Sequence, residues 1–315
     1  MIDILKVSSP YIKHTDTTSG IMLDVIIALA PAAVFGCILF GISAFLVLLT
    51  CIAVAILSEF LWNFLLKKEN TVKDLSAVVT GLLLGMSLPS KTPLWMAAIG
   101  SFVAIIVIKQ MFGGLGCNFA NPAITARIVL LVSFPSALTK YFEPVVDTVS
   151  SATPLMYFAD KSVELPSLKN LFFGLYSGSI GETSAFLLLV GGVYLVIRRI
   201  INPVTPVCII GSVAILSLIG GDKLSLAIFG GGLMLGAIFM ATDYTTSPTT
   251  IFGKAIFGLG CGILTYIIRK FASLPEGISY AILIMNILVP YINKLTLKKP
   301  FGYVKPKREE KTDEK

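Results

Sequence analysis

The stretch "IMLDVIIALAPAAVFGCILFGISAFLVLLTCIAVAILSEFLWNFLL", residues 21–66, decides the fold class of this chain because it is almost entirely apolar. A transmembrane α-helix needs roughly 20 consecutive apolar residues, so the stretch is long enough for two spans, at 21–40 and 42–66. The run follows a polar segment and lacks the short apolar core and small-residue cleavage site of a secretory signal. We therefore expect it to be retained in the membrane.

Composition extends this interpretation to the whole chain. The 315 residues are 55% hydrophobic and 14% charged, with a mean hydropathy of +0.87, whereas soluble domains carry about 25% charged residues. The sequence predicts an all-α, polytopic membrane protein with about ten transmembrane helices. The other long spans are predicted at 94–111, 183–200, 205–219, 224–240, 251–271 and 277–291, and two short ones at 76–88 and 123–134.

Repeated strings indicate two related halves. "VAILS" occurs at 54–58 and again at 213–217, and "GLLLG" at 81–85 is similar to "GLMLG" at 232–236. Both pairs fall in corresponding spans, which predicts a first membrane half at 21–134 and a second at 183–293, each with five spans. Because five is odd, the second half would be inverted. Chance similarity between apolar helices is the alternative.

Two polar interruptions are expected to mark a site. "GGLGCNFANPA" at 113–123 follows the fourth span, and "ATDYTTSPTT" at 241–250 follows the eighth. Irregular backbone at membrane depth is tolerated only where it is buried in protein or lines a polar cavity. Inverted-repeat proteins usually place their ligand site at such discontinuous helices.

The distribution of positive charge predicts the topology. Lys and Arg cluster in the N-terminal segment 1–20, after the second span, at Arg198 and Arg199, and in the tail 294–315. An excess of Lys and Arg is typical of cytoplasmic segments, so both termini are expected in the cytoplasm and the loop 135–182 outside. This arrangement explains the pI of about 9.1 without nucleic-acid binding.

The five cysteines and the single histidine, His14, do not suggest a metal site. The chain has no Cys-x-x-Cys string, and a self-contained zinc or iron–sulfur site usually needs about four Cys or His ligands. We predict no metal site and no catalytic side chain, and expect the cysteines to be small buried residues. A cysteine that completes a cluster shared with another subunit is the alternative.

The external loop contains "VDTVSSATPLMYFAD" at 146–160. Thr153 suits the N-cap of a helix that begins at Pro154, and a residue before proline is extended, which projects its side chain outward. A helix N-terminus also favours a phosphate. With no base nearby, Thr153 is not expected to be a hydrolytic nucleophile; capping alone is the alternative role.

Longer strings carry a resemblance over nearly the whole chain. They are "SSPYIKHTDTTSGIMLDVIIALAP", "DLSAVVTGLLLGMSLP", "KQMFGGLGCNFANPA", "SSATPL" and "FMATDYTTSPTT". Together they resemble the family that includes the D subunits of the Rnf ion-translocating electron-transport complexes and the B subunits of the Na⁺-translocating NADH:quinone reductases.

The resemblance implies a covalent flavin. In that family a flavin transferase attaches FMN to a loop threonine through a phosphoester, and the position that matches is Thr153. The matching attachment sequence also includes Asp147, Ser150, Ser151 and Ala152. A second, noncovalent riboflavin is implied as well. FMN would supply the electron chemistry that side chains cannot.

The resemblance also implies the function and the partners. The chain would be a flavoprotein subunit of a ferredoxin:NAD⁺ oxidoreductase complex in the bacterial inner membrane, coupled to Na⁺ or H⁺ transport and inactive alone. Its partners would be a second FMN subunit, iron–sulfur subunits, the flavin transferase and the lipid bilayer. A secondary transporter or channel with no redox role and a purely structural membrane scaffold are the two alternatives.

Ionisable residues in or near the spans have their own expectations. They are Asp24, Glu59, Lys109, Arg127, Asp243 and Lys254. Such residues are costly in lipid and are functional candidates by default. Lys109 and Lys254 are expected to snorkel or to anchor helix ends. Asp243, which lies in the second interruption, is a candidate for a flavin or an ion site.

Overall fold

The computed structural model describes residues 17–68, 71–141, 154–158, 166–182, 184–272 and 277–297. These residues form helices and no strand, apart from one isolated bridge between Pro89 and Ser179. The helices are α1 (Thr18–Leu65), α2 (Ser76–Met86), α3 (Leu94–Phe102), α4 (Pro122–Ser133), α5 (Pro135–Leu138), α6 (Leu168–Phe173), α7 (Ala185–Ile197), α8 (Val204–Ile219), α9 (Leu224–Phe229), α10 (Leu233–Leu235), α11 (Ile251–Phe271) and α12 (Gly277–Thr296). The predicted all-α fold class is confirmed.

The helices have the lengths and composition of a multi-pass membrane protein. Among the described helices, three (α1, α11 and α12) are long and apolar enough to cross a membrane, and five further apolar helical runs have 10–17 residues. Large apolar side chains cover their outer faces, such as Ile38, Phe64 and Phe271, as expected for contact with lipid. The count of ten spans and the inverted repeat stay predictions.

The first two predicted spans are the two arms of α1. This helical run of 48 residues is interrupted at Gly41, whose φ of 75° and ψ of −160° are not helical. A positive φ of this kind suits glycine, which has no Cβ. At about 1.5 Å per residue each arm is roughly 35 Å long, enough to cross a bilayer. Side chains from both arms, including Ala33 and Leu48, line one apolar cleft.

The structure confirms both predicted interruptions. Helix α3 continues as π-helical turns over Val103–Gln110, and α10 continues in the same way over Gly236–Met240. Non-helical segments follow, at 111–121 and at 241–250; they are called here the first and second breaks. π-helical turns occur frequently at functional sites. A further interruption was not predicted: the span expected at 224–240 stops at Phe229.

Small residues allow the helices to approach closely. A Cβ at Gly81 of α2 would lie 2.8 Å from the Cys51 carbonyl oxygen of α1, and a Cβ at Gly191 of α7 would overlap the Ala28 carbonyl oxygen. The second contact joins the two predicted halves, since α1 belongs to the first and α7 to the second.

The loop predicted at 135–182 is exposed only in part. Residues 177–182 are buried and bond to the end of α2: the Ile180 amide donates to the Leu88 carbonyl (3.1 Å) and the Gly181 amide to the Met86 carbonyl (2.7 Å). This end of the predicted external loop is therefore packed into the helix bundle. Its glycines and serines allow the close backbone approach that these hydrogen bonds require.

Candidate functional site

The two breaks are joined through Asn121, the last residue of the first break. Its side-chain oxygen accepts from the amides of Ala123 and Ile124 (3.0 and 3.3 Å) and caps α4, while its Nδ2 donates to the Met240 carbonyl oxygen (3.1 Å). Asn286 of α12 bonds to both breaks. Its side-chain oxygen accepts from the backbone amide of Asn121 (3.1 Å), and its side-chain nitrogen donates to the Thr246 carbonyl oxygen (3.0 Å). The two breaks therefore lie next to each other, whereas their expected role as a ligand site stays a prediction.

A small cavity lined by both apolar and polar side chains lies where the breaks meet. It has a volume of about 90 Å³, whereas sites for small organic ligands usually have about 300–1,000 Å³. Such a volume suits water molecules or an ion and is small for a flavin ring. The polar side chains that line it are Ser76, Thr80, Lys109, Asn118, Asn121, Thr242, Asp243 and Thr245.

Asp243 provides a carboxylate at this cavity. Its Oδ2 accepts from the hydroxyls of Thr245 (3.0 Å) and Thr246 (3.2 Å). The Oδ1 atom of Asn118 is buried and has no hydrogen-bond partner among the described residues. Oxygen acceptors of this kind suit a hard cation. A role for Asp243 as an ion or flavin ligand stays a prediction.

Lys109 reaches the same cavity but does not snorkel. Its side chain is 2% exposed, and its Nζ donates to Glu59 Oε2 (2.8 Å) and to Ser76 Oγ (2.6 Å). The expectation for Lys109 is wrong because α1 supplies a carboxylate that keeps the ammonium inside the bundle. Lys254, the other lysine with this expectation, is half-buried at the start of α11.

A second buried polar cluster lies around Arg127, near the middle of α4. Arg127 Nη2 lies 3.3 Å from Glu182 Oε1, and Arg127 Nη1 lies 3.4 Å from Ser279 Oγ. The Tyr176 hydroxyl lies within hydrogen-bond distance of the Glu182 carbonyl oxygen (3.0 Å). Burial, with a smaller contribution from the Glu182 carboxylate, raises the pKa of Tyr176, so this phenol stays neutral.

The predicted attachment residues Asp147, Ser150, Ser151, Ala152 and Thr153 lie outside the described residues. The described chain resumes at Pro154, where a 3₁₀ turn, Pro154–Phe158, begins. The residues that follow the predicted cap are thus helical, but they form a 3₁₀ helix, and the cap at Thr153 stays a prediction. Leu155 is buried, and the Lys223 ammonium lies 5.6 Å from the centre of the Tyr157 ring.

The cysteines differ from one another in burial. Cys51 and Cys261 are buried, Cys37 and Cys208 are half-buried, and Cys117 in the first break is exposed. The expectation of a buried thiol is wrong for Cys117 because the break turns this part of the backbone out of the bundle. Within the described part of the chain no three His, Cys, Asp or Glu side chains are grouped as a metal site would require.

Sequence reasoning missed Asn118, Asn121 and Glu182. An available signal for Asn121 was the Asn-Pro pair, since asparagine is a strong N-cap and proline suits the first helical position. Glu182 carries no such signal, because no pattern in the sequence places the end of the loop 135–182 beside α4.

Known proteins are similar in sequence to this chain over most of its length. The model of the "NQR2, RnfD, RnfE family" matches residues 5–302. The chain is 44% identical over 308 residues to the D subunit of the Na⁺-translocating ferredoxin:NAD⁺ oxidoreductase complex of Acetobacterium woodii, covering 96% of this chain and 97% of the relative. It is 43% identical over 314 residues to the D subunit of the proton-translocating ferredoxin:NAD⁺ oxidoreductase complex of Clostridium ljungdahlii, covering 94% and 95%. It is 36% identical over 313 residues to the D subunit of the ion-translocating oxidoreductase complex of Rhodobacter capsulatus, covering 87% of each chain.

Proposed function

The chain belongs to the NQR2, RnfD, RnfE family, and from this membership we propose that it is the flavin-carrying membrane subunit of an ion-translocating ferredoxin:NAD⁺ oxidoreductase. It works only within a complex, together with a second FMN subunit and iron–sulfur subunits. The observation that carries the proposal is the sequence similarity to the D subunits of two such complexes, which are 44% and 43% identical to this chain over nearly its full length.

We propose that FMN is bound to Thr153 as a phosphoester. The attachment sequence supports this assignment, since Asp147, Ser150, Ser151 and Ala152 stand in the expected order before Thr153. When bound, FMN supplies one- and two-electron chemistry. The chain's own contribution is anchoring: two residues after Thr153, the Leu155 side chain is 4% exposed and packs against Gly230 and Gly231. This contact would restrict how far the flavin moves.

The cavity between the breaks supports a role in ion coupling. Asp243 and Asn118 offer acceptor oxygens there, and Lys109 lines the same space. One relative is a subunit of a complex named as Na⁺-translocating and another is a subunit of a complex named as proton-translocating. The proposal therefore includes both ions. A noncovalent riboflavin would need a larger site than this cavity, which favours the ion role for Asp243 over the flavin role.

The topology is part of the proposal. Both termini would lie in the cytoplasm of a bacterial cell and the Thr153 loop outside. The two basic residues that follow α7, Arg198 and Arg199, precede Ile200 and Ile201, which line the cavity between the breaks. That cavity would therefore lie toward the cytoplasmic side, and the Arg127–Glu182 cluster toward the outer side.

The test is covalent flavin on the chain produced together with the flavin transferase. The wild-type protein should show denaturation-resistant fluorescence and the mass increment of FMN, whereas Thr153→Ala should show neither. Loss of an N-cap costs about 0.5–2 kcal/mol, so the variant should still insert. Asp243→Asn is the matched control, because it removes a charge at the other site and should keep the flavin. Flavin retained in Thr153→Ala would reject the site.

The alternative, a transporter or channel without a redox role, is favoured by the broken helices beside a small cavity. It predicts solute flux through the isolated chain in liposomes and a wild-type chain without flavin. A wild-type chain that is made with an active transferase and carries no flavin would therefore favour this alternative over the flavin-carrying function.

A further inference from the structure

A second pocket lies beside the cavity between the breaks, at the start of α11. It shares Ile200 and Ile201 with that cavity and has a volume of about 210 Å³. Sites for whole small molecules usually have about 300–1,000 Å³, so this pocket suits a single functional group together with water. The residues that bring hydrogen-bond donors to it include Asn202, Thr205, Ser247, Thr249 and Lys254.

Two buried hydroxyl groups in this pocket lack a hydrogen-bond partner. Thr205 is 1% exposed and Ser247 is 8% exposed, and both residues line the pocket. Neither hydroxyl makes a hydrogen bond within the part of the chain that the structure describes. Because buried polar groups are nearly always bonded, an unsatisfied one marks a place where water or a ligand completes its hydrogen bonds. A hydroxyl can donate or accept, so the neighbouring groups decide the charge of the ligand.

Those neighbouring groups favour an anion. The Lys254 ammonium is half-buried and has no ion pair or hydrogen bond with another described residue. The Asn202 side-chain oxygen accepts from the Val204 amide (3.0 Å), which leaves its NH₂ group as a donor. None of the described residues that line the pocket carries a carboxylate. Asp243 lines the neighbouring cavity, where its Oδ2 accepts from two threonine hydroxyls.

The beginning of α11 adds a partial positive charge. This helix has 21 residues, and Thr249 and Lys254, which lie on either side of its first residue, both line the pocket. The N-terminus of a helix favours anions because its dipole is positive there and its first amides lack partners within the helix. The helix end therefore acts in the same direction as the lysine and the two hydroxyls.

We propose that this pocket is a phosphate-binding site. Lys254 supplies the positive charge, and the hydroxyls of Thr205 and Ser247 donate to the phosphate oxygens together with the Asn202 amide. Lysine is a common phosphate ligand in proteins because its ammonium is a compact charge with three donors. The phosphate group belongs either to the headgroup of an anionic lipid or to free inorganic phosphate, which present the same chemistry to the pocket. The site depends neither on a bound flavin nor on ion transport.

The experiment measures phosphate binding to the full-length chain in detergent. Equilibrium dialysis with radiolabelled inorganic phosphate, at constant sodium chloride, should show saturable binding to the wild-type chain. Lys254→Gln should weaken this binding about tenfold or more, because it removes a charge-assisted hydrogen bond. Thr205→Val, which is similar in shape and lacks only the hydroxyl, should weaken it about threefold or more.

Two controls separate binding from folding. Without phosphate, Thr205→Val should not lower the melting temperature, because the hydroxyl has no partner to lose among the described residues. Lys270→Gln removes a positive charge near the other end of α11, where Nζ is already paired with Asp222 Oδ2 (3.1 Å). It should leave phosphate binding unchanged.

The source of the phosphate is tested with a lipid probe. Native mass spectrometry with added phosphatidylglycerol is run on the wild-type chain and on the same variants. Lipid adducts that are lost in Lys254→Gln and Thr205→Val, without binding of inorganic phosphate, support the site and identify a lipid headgroup as its ligand. Binding of inorganic phosphate that depends on both residues supports the site and a ligand from solution.

Other results overturn the proposal. Binding of neither probe to the wild-type chain would do so, as would binding that Lys254→Gln and Lys270→Gln weaken equally. If Lys254→Gln does not accumulate, Thr205→Val decides the question, and unchanged binding of both probes to that variant rejects the site.

Discussion

The ammonium of Lys109 lies 2.8 Å from the Glu59 carboxylate, and neither side chain is more than 2% exposed. The pair joins α1 to the π-helical end of α3, at the edge of the cavity between the breaks. A hydrogen bond from the Thr71 hydroxyl to Glu59 Oε1 (2.5 Å) links it to an exposed residue. Because the two opposite charges are buried and in contact, the effects of mutating them on the free energy of unfolding should not be additive.

Removal of either partner should therefore destabilise the protein. Glu59→Gln or Lys109→Met leaves an uncompensated buried charge, which costs about 3–5 kcal/mol. The double variant should lose less than the sum of the single losses, as measured by thermal or denaturant unfolding in detergent. Lys254→Gln, a charge loss at a half-buried position, is the control. Strictly additive single losses would show that the two groups do not interact.

The contact between α7 and α1 should depend on the absence of a side chain at Gly191. In Gly191→Ala the new Cβ would overlap the Ala28 carbonyl oxygen, and such overpacking costs about 1–3 kcal/mol. Gly211→Ala is the control, because nothing lies within 4 Å of its Cβ position in α8. Equal melting temperatures of the two variants would contradict the close approach of the two helices.

Cysteine labelling should report the topology from two positions. Lys169 is exposed on α6, and Cys117 is exposed in the first break. A membrane-impermeant maleimide should label Lys169→Cys in intact cells and the native Cys117 only after permeabilisation. A cysteine at Lys169 leaves the cap of α6 intact. A cysteine at Ser167 would remove it, because the Ser167 hydroxyl accepts from the Asn170 amide (3.3 Å). Labelling of the wild-type chain in intact cells would reverse the assignment.

The features that sequence could predict are those with local signals. Long apolar runs predict the spans, and the Gly-, Asn- and Pro-containing strings at 113–123 and 241–250 predict the breaks, because both effects act within a few residues of the chain. The glycine run at 230–232 carried the same kind of signal for the stop after Phe229. The assignment of Thr153 depends on the family resemblance, since capping alone explains the same residues.

The partners of the buried charges could not be predicted. Lys109 and Glu59 are 50 residues apart, and Arg127 meets a glutamate from the end of the loop 135–182. Which side chains meet is set by the packing of distant helices, and hydropathy does not contain that information. For the same reason, snorkelling was the reasonable expectation for Lys109, although the structure shows a buried ion pair.

The hydrogen bonds of α4 also impose an order on biogenesis. Asn121 bonds to a carbonyl 119 positions later in the chain, and Arg127 to a hydroxyl 152 positions later. At about 5–20 residues per second, a ribosome needs roughly 6–24 s to synthesise the residues between Asn121 and Met240 and roughly 8–30 s for those between Arg127 and Ser279. The Asn121 bond cannot form until Met240 has been inserted, and the Arg127–Ser279 bond cannot form until α12 has left the insertion machinery, in a medium that penalises buried polar groups. A nascent chain that stops before Met240 would thus be an obvious target for membrane proteases.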